Sequence, residues 1–259
     1  MNYLIYALIT VFTIWLSTFI GYLIPMTSKE LKFKEYWRKC PQCEKTKSKK
    51  TVYNVFNFWK YGGYCEKHRV ATWKNILFTL LFTVFSLAPF VLEFIFTGTV
   101  FTINSISLYI VSPMLIYATM TDFKGMVIPD ACNIGIALTG LFVMFHKAIT
   151  TGDNSVYLTH VIGMLCIALP FFLICLIGRG GFGDVKLFAA LGLLLGWKYL
   201  LLVFFIAIIS GCLYALYKKI TAEDVKWKSE LPFGPFICVG TYIAMLFGEN
   251  IINSYLQLF

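Results

Sequence analysis

Apolar residues in this chain fall in blocks long enough to cross a lipid bilayer, and that single feature narrows the possible folds sharply. A helix needs about 20 residues to cross the hydrocarbon. Backbone N–H and C=O groups there find no water, so a crossing segment must satisfy them internally and is helical. The blocks lie at 2–26, 75–97, 103–121, 131–147, 156–177, 185–197, 199–218 and 233–255. The fold class read from them is all-α, a polytopic membrane helical bundle of about eight transmembrane helices. The run from Val185 to Tyr217 is too long for one helix, and a turn is expected near Gly196-Trp197-Lys198, leaving a short sixth span. The first block has no basic start and no small-residue cleavage site, so it is expected to be retained. With 59% hydrophobic and 14% charged residues, the chain carries too little charge to clothe a soluble domain of this size.

The formal net charge of +9 raises nucleic acid as a partner, but its distribution argues against that. Of the 22 Lys and Arg residues, 13 lie between Lys29 and Lys74, in the first loop. If the helices alternate, Lys124, Arg179, Lys186, Lys218, Lys219, Lys226 and Lys228 fall on the same side, with only Lys147 and Lys198 opposite. Basic loops stay in the cytoplasm, which puts the first loop inside and both termini outside. The charge thus sets topology and attracts anionic lipid headgroups, and no nucleic-acid role is expected.

Two parts follow: residues 1–74, an N-terminal helix with a basic cytoplasmic loop, and residues 75–259, the bundle. Within the loop, Cys40-Pro-Gln-Cys43 and Cys65-Glu-Lys-His68 each set two ligand types at knuckle spacing. Four N and S ligands complete a tetrahedral zinc shell with no open position, so zinc there would be structural. The competing reading is free thiols in a reducing compartment. Two spaced pairs in one coreless loop favour zinc. Cys132, Cys166, Cys175, Cys212 and Cys238 show no pairing pattern and read as small packing residues.

The chain holds 13 acidic residues, and few of them border the spans. Asp122 ends the third span in Thr121-Asp122-Phe123-Lys124-Gly125, and Ile128-Pro129-Asp130 follows. Asp184 opens the sixth in Gly180-Gly181-Phe182-Gly183-Asp184-Val185-Lys186. The topology puts both on the cytoplasmic side. Ionisable groups beside a span are costly to insert and mark function by default. The plainer alternative is helix capping, for which Asp is a preferred residue. It suits Asp130, and it leaves the glycines ahead of Asp184 unexplained. Asp122 stands at a helix C-terminus, where the macrodipole disfavours negative charge. Two such carboxylates brought together would share a proton, as the catalytic pair of an aspartic protease does.

At these residues the sequence resembles the type IV prepilin peptidase family, relatives of the archaeal preflagellin peptidases within the GxGD membrane aspartyl proteases. Three ordered segments carry the likeness: Thr121-Asp122 through Ile128-Pro129-Asp130, Gly181-Phe182-Gly183-Asp184-Val185-Lys186-Leu187, and Leu231-Pro232-Phe233-Gly234-Pro235-Phe236. The resemblance implies that Asp122 and Asp184 are the catalytic pair, with Gly181 and Gly183 beside the substrate backbone. It implies cleavage of the basic leader from type IV prepilins or pseudopilins at the cytoplasmic face of the inner membrane. Many members also methylate the new N-terminus with S-adenosylmethionine, and their first loop carries zinc-binding cysteines. Here the fourth zinc ligand is His68 rather than a cysteine, and the Asn-Pro-rich segments flanking the cysteines are not recognisable, which leaves methylation open.

Three other readings compete. An ion-coupled transporter would use buried carboxylates but usually shows repeated halves and broken midplane helices, and no repeat is visible here. A non-catalytic scaffold would tolerate loss of both Asp residues. A GxGD protease acting on another membrane substrate would keep the chemistry and change the target.

Overall fold

The computed structural model describes residues 2–27, 58–60, 72–97, 102–177, 181–221 and 232–257. The described residues form α-helices and no strands: α1 (Asn2–Thr27), α2 (Thr72–Thr97), α3 (Ile103–Gly125), α4 (Asp130–Thr151), α5 (Ser155–Cys166), α6 (Ala168–Leu176), α7 (Phe182–Leu195), α8 (Trp197–Thr221) and α9 (Gly234–Leu256). Each apolar block of the sequence falls on helix, the fifth on two, α5 and α6. Among the described residues, six stretches are long and apolar enough to cross a membrane: 73–95, 103–125, 130–151, 155–176, 197–221 and 234–256. That is the make-up of a multi-pass membrane protein. The expected eight crossings are not reached by this measure. The described apolar stretch of α1 is Leu8–Gly21. The 14 residues of α7 rise only about 21 Å, short of a hydrocarbon core of about 30 Å.

Packing divides the chain into two units, Met1–Val100 and Phe101–Phe259. In the first, α1 packs along α2. The hydroxyls of Thr13, Ser17 and Thr18 donate to carbonyls of their own helix, Ile9, Ile14 and Trp15. Polar side chains are satisfied in this way where water is absent. The short helical stretch at 58–60 also belongs here. The Phe58 ring fills the space a Cβ would need at Gly21, and the Asn75 amide donates to the Trp59 carbonyl at 3.2 Å.

In the second unit α7 is the central helix. Leu187, Phe188, Leu191 and Leu194 are all buried, and α4, α5, α6 and α8 pack around it. Glycines set the close crossings. Gly163 of α5 meets Gly192 of α7 backbone to backbone, and a Cβ at Gly140 of α4 would lie 2.7 Å from the Leu194 amide. The α4 and α7 helices run in the same direction, with Asp130 by Lys186 at their starts and Gly140 by Leu194 farther along. By contrast α8 and α9 run antiparallel: Gly211 lies by Phe236, Gly240 by the Val203 carbonyl, and Gly248 by Tyr199. Exposed Leu138, Leu158, Leu213 and Ile220 form outer faces that suit lipid.

Two interruptions have local causes. The expected turn after α7 falls at Gly196, whose φ of 80° lies where only glycine sits without strain. The fifth apolar block breaks at Ile167, between α5 and α6. Pro170 has no N–H, and its ring collides with the carbonyl four residues back, that of Cys166, where α5 stops.

Candidate active site

Asp122 occupies the last turn of α3 and is only 5% exposed. The helix closes on Met126, which is left-handed (φ 52°) and donates its N–H to the Asp122 carbonyl at 2.9 Å. A carboxylate at a helix C-terminus faces the negative end of that dipole. The compensation comes from α9. Gly234, its first residue, donates its N–H to Asp122 Oδ2 at 2.8 Å in a buried hydrogen bond. A bond of this kind to a charged group contributes about 1.5–3 kcal/mol. A Cβ at Gly234 would sit 2.8 Å from the same oxygen, so the approach requires glycine.

Sequence local to α9 explains why this amide is available. The N-cap is Phe233, which offers no side-chain oxygen, and Pro235 has no N–H of its own. The amides of Phe236 and Ile237 bond back to the Phe233 carbonyl. The Gly234 amide is left to seek a partner elsewhere, and Asp122 supplies it. Phe233 is fixed by stacking on Phe171 at 6.3 Å and by a tilted contact with Phe188. The third sequence motif thus holds the Asp122 carboxylate, a role that nothing in the linear sequence announces.

Asp184 lies in the first turn of α7, half-buried. Capping does not explain it, because the N-cap is Gly181, three positions earlier. The Asp122 and Asp184 segments meet. Ile128, from the turn after α3, lies 3.2 Å from where a Cβ at Gly183 would stand, and Lys186 Nζ pairs with Asp130 Oδ1 at 2.7 Å. Burial, and secondly the negative charge of Asp122, push the Asp184 carboxyl up to about 7. The two groups are therefore within electrostatic reach of each other.

One sequence expectation changes. Asp130 is not the cap of α4: Pro129 holds that position without a side-chain bond, and Asp130 pairs with Lys186 instead. The missing side chain of Gly183 is taken up by Ile128, whereas Gly181 is exposed, with Asp184 Oδ2 3.4 Å from where its Cβ would be. Cys132, Cys175 and Cys238 are buried as expected of packing residues, while Cys212 is exposed. Cys238 leans its thiol on the Leu115 carbonyl. The zinc candidates Cys40, Cys43, Cys65 and His68 lie outside the described residues, as do Gly178, Arg179 and Gly180. No cluster of three or more metal-ligand side chains occurs among the described residues.

Residues 109–216 match the type IV leader peptidase family, a stretch that contains both Asp122 and Asp184. The chain is 32% identical over 160 residues to the prepilin leader peptidase/N-methyltransferase of Legionella pneumophila, covering 60% of this chain and 55% of that protein. It is 29% identical over 229 residues to the Bacillus subtilis (strain 168) protein of that name, covering 85% of each. With the Pseudomonas aeruginosa one it shares 24% identity over 221 residues, or 84% of this chain and 74% of the other. The Legionella match thus spans little more than half of that relative's length. No solved structure matches the chain.

Proposed function

We propose, from the match of residues 109–216 to the type IV leader peptidase family and the likeness to prepilin leader peptidases, that the chain is a membrane aspartic endopeptidase removing the basic leader of type IV prepilins or pseudopilins. The observation that carries this reading is that the segments bearing Asp122 and Asp184 meet where Ile128 packs on Gly183, near enough for the Asp122 charge to act on the Asp184 carboxyl. A shared proton is what peptide hydrolysis by two carboxylates requires. The ionised carboxylate takes a proton from a water molecule as its oxygen attacks the scissile carbonyl carbon. The protonated partner polarises that carbonyl, then gives its proton to the leaving amine nitrogen as the C–N bond breaks. Water supplies the OH of the new carboxyl and a hydrogen of the new amine, so the step balances without a cofactor.

Exposed Gly181 offers the bare backbone edge along which an extended substrate would lie beside Asp184, with Gly183 next to it. The basic first loop supports a cytoplasmic site in the inner membrane, the side on which prepilin leaders remain. Structural zinc on Cys40, Cys43, Cys65 and His68 is proposed from their spacing alone. Metal analysis of the purified protein against a Cys43→Ser variant tests it. S-adenosylmethionine-dependent methylation is a separate question, decided by the mass of the processed pilin N-terminus.

The decisive experiment is prepilin cleavage in lipid vesicles by Asp122→Asn and Asp184→Asn variants. Both should lose processing while still inserting. Cleavage retained by either one rejects the carboxylate pair.

A further inference from the structure

The hydrogen bond from Gly234 to Asp122 joins residues 112 positions apart and is buried. Its amide is the one N–H in the first turn of α9 that neither proline nor the Phe233 carbonyl accounts for. It also stands at the positive end of a 23-residue helix, where a carboxylate is favoured. A Cβ there would stand 2.8 Å from Oδ2 and would have to displace it. We propose that Gly234 is a positioning residue of the hydrolytic centre: its amide and its missing side chain fix the orientation of the Asp122 carboxylate.

The role of Gly234 follows from the surroundings of Asp122. Asp122 accepts a backbone N–H aimed along a helix axis, an interaction that strengthens with negative charge on the oxygen. Among the described residues Asp184 has no backbone donor on its carboxyl. Burial, and secondly the Asp122 charge, push its carboxyl up to about 7. Gly234 acts through Asp122, on which its amide is spent. Removing that bond should therefore slow the chemical step without weakening substrate binding. This inference rests on the reading of the pair as the hydrolytic centre.

The test uses the full chain in lipid vesicles with a synthetic prepilin-type substrate, a basic leader followed by an apolar stem. Glycolic acid in place of Gly234 exchanges the N–H for an ester oxygen and adds no atoms. The expected result is a kcat lower by roughly tenfold, the worth of one hydrogen bond to a charged group, with KM changed by less than about twofold. A kcat within about twofold of wild type overturns the role, and so does a parallel loss of kcat and rise of KM, which would mark a merely structural contact. If the ester variant does not insert, Gly234→Ala is read for the same split. Its thermal stability is compared with that of Gly234→Ala combined with Asp122→Ala. The loss from the added Cβ should largely vanish once Oδ2 is gone, and an equal loss on both backgrounds overturns the proposal. Wild-type protein that cleaves no prepilin substrate would instead remove the peptidase reading beneath it.

Discussion

Ile128 stands against Gly183, its Cβ 3.2 Å from the point where a side chain at that glycine would begin. This contact joins the turn after Asp122 to the turn that presents Asp184. Gly183→Ala must therefore push the two segments apart by a few tenths of an ångström. Overpacking of this kind costs about 1–3 kcal/mol. Cleavage should fall by more than the loss of folded protein explains, because the displacement acts on the spacing of the carboxyls. Thermal unfolding and kcat measured on the same sample check this. Wild-type kcat would show that Gly183 serves packing alone.

A second prediction concerns pH. The Asp184 carboxyl ionises near its ordinary value of 3.8 in the unfolded chain and at about 7 in the folded one. The folded state therefore gains from the protonated form. That stability is fully present below about pH 4 and is lost as pH rises through 7. Asp184→Asn keeps a neutral side chain at every pH. It should match wild type in thermal stability near pH 4 and exceed it near pH 8. Parallel curves of Tm against pH would contradict the buried proton. On the same grounds kcat of the wild type should decline above about pH 7, as the general acid empties.

The helices were legible in the sequence because lipid imposes a length on each apolar block, and a block such as 103–121 or 233–255 has no other stable conformation there. The turn at Gly196 was legible because glycine in so long an apolar run has a backbone cause. The break at Ile167 was not foreseen. Its cause is Pro170, which acts four residues upstream and looks innocuous inside an apolar stretch. Asp122 and Asp184 stood out as acids at membrane boundaries, yet the approach of their segments depends on the parallel packing of α4 on α7 and on the Ile128 turn. Gly234 could not have been assigned a role, because its functional group is a backbone amide shared with every other residue but proline.

The Asp130–Lys186 pair should matter little. Both side chains are more than half exposed, and ion pairs in such surroundings contribute about 0–1 kcal/mol. Asp130→Asn and Lys186→Met should each change stability by less than about 1 kcal/mol and leave cleavage intact. A double-mutant cycle on thermal unfolding, with kcat recorded alongside, checks both parts. Loss of cleavage in Asp130→Asn would make this third carboxylate a member of the site.

Met126 carries the last prediction. It is the one non-glycine residue with positive φ among those described, at 52°, while Gly125 beside it adopts no such conformation. A left-handed backbone costs an ordinary residue roughly 1–2 kcal/mol. The strain persists because the Met126 N–H closes α3 on the Asp122 carbonyl and turns the chain toward Ile128. Met126→Gly relieves the strain and adds roughly 0.5–1 kcal/mol of unfolded-chain entropy against it. The net result should be a stabilisation of up to about 1 kcal/mol with cleavage preserved, since the hydrogen bond needs only the backbone. Met126→Val should lose about as much or more, because a β-branched residue is least at ease at positive φ. Thermal unfolding of both variants decides it. A destabilised glycine variant would mean that the exposed Met126 side chain, rather than its backbone, holds the turn.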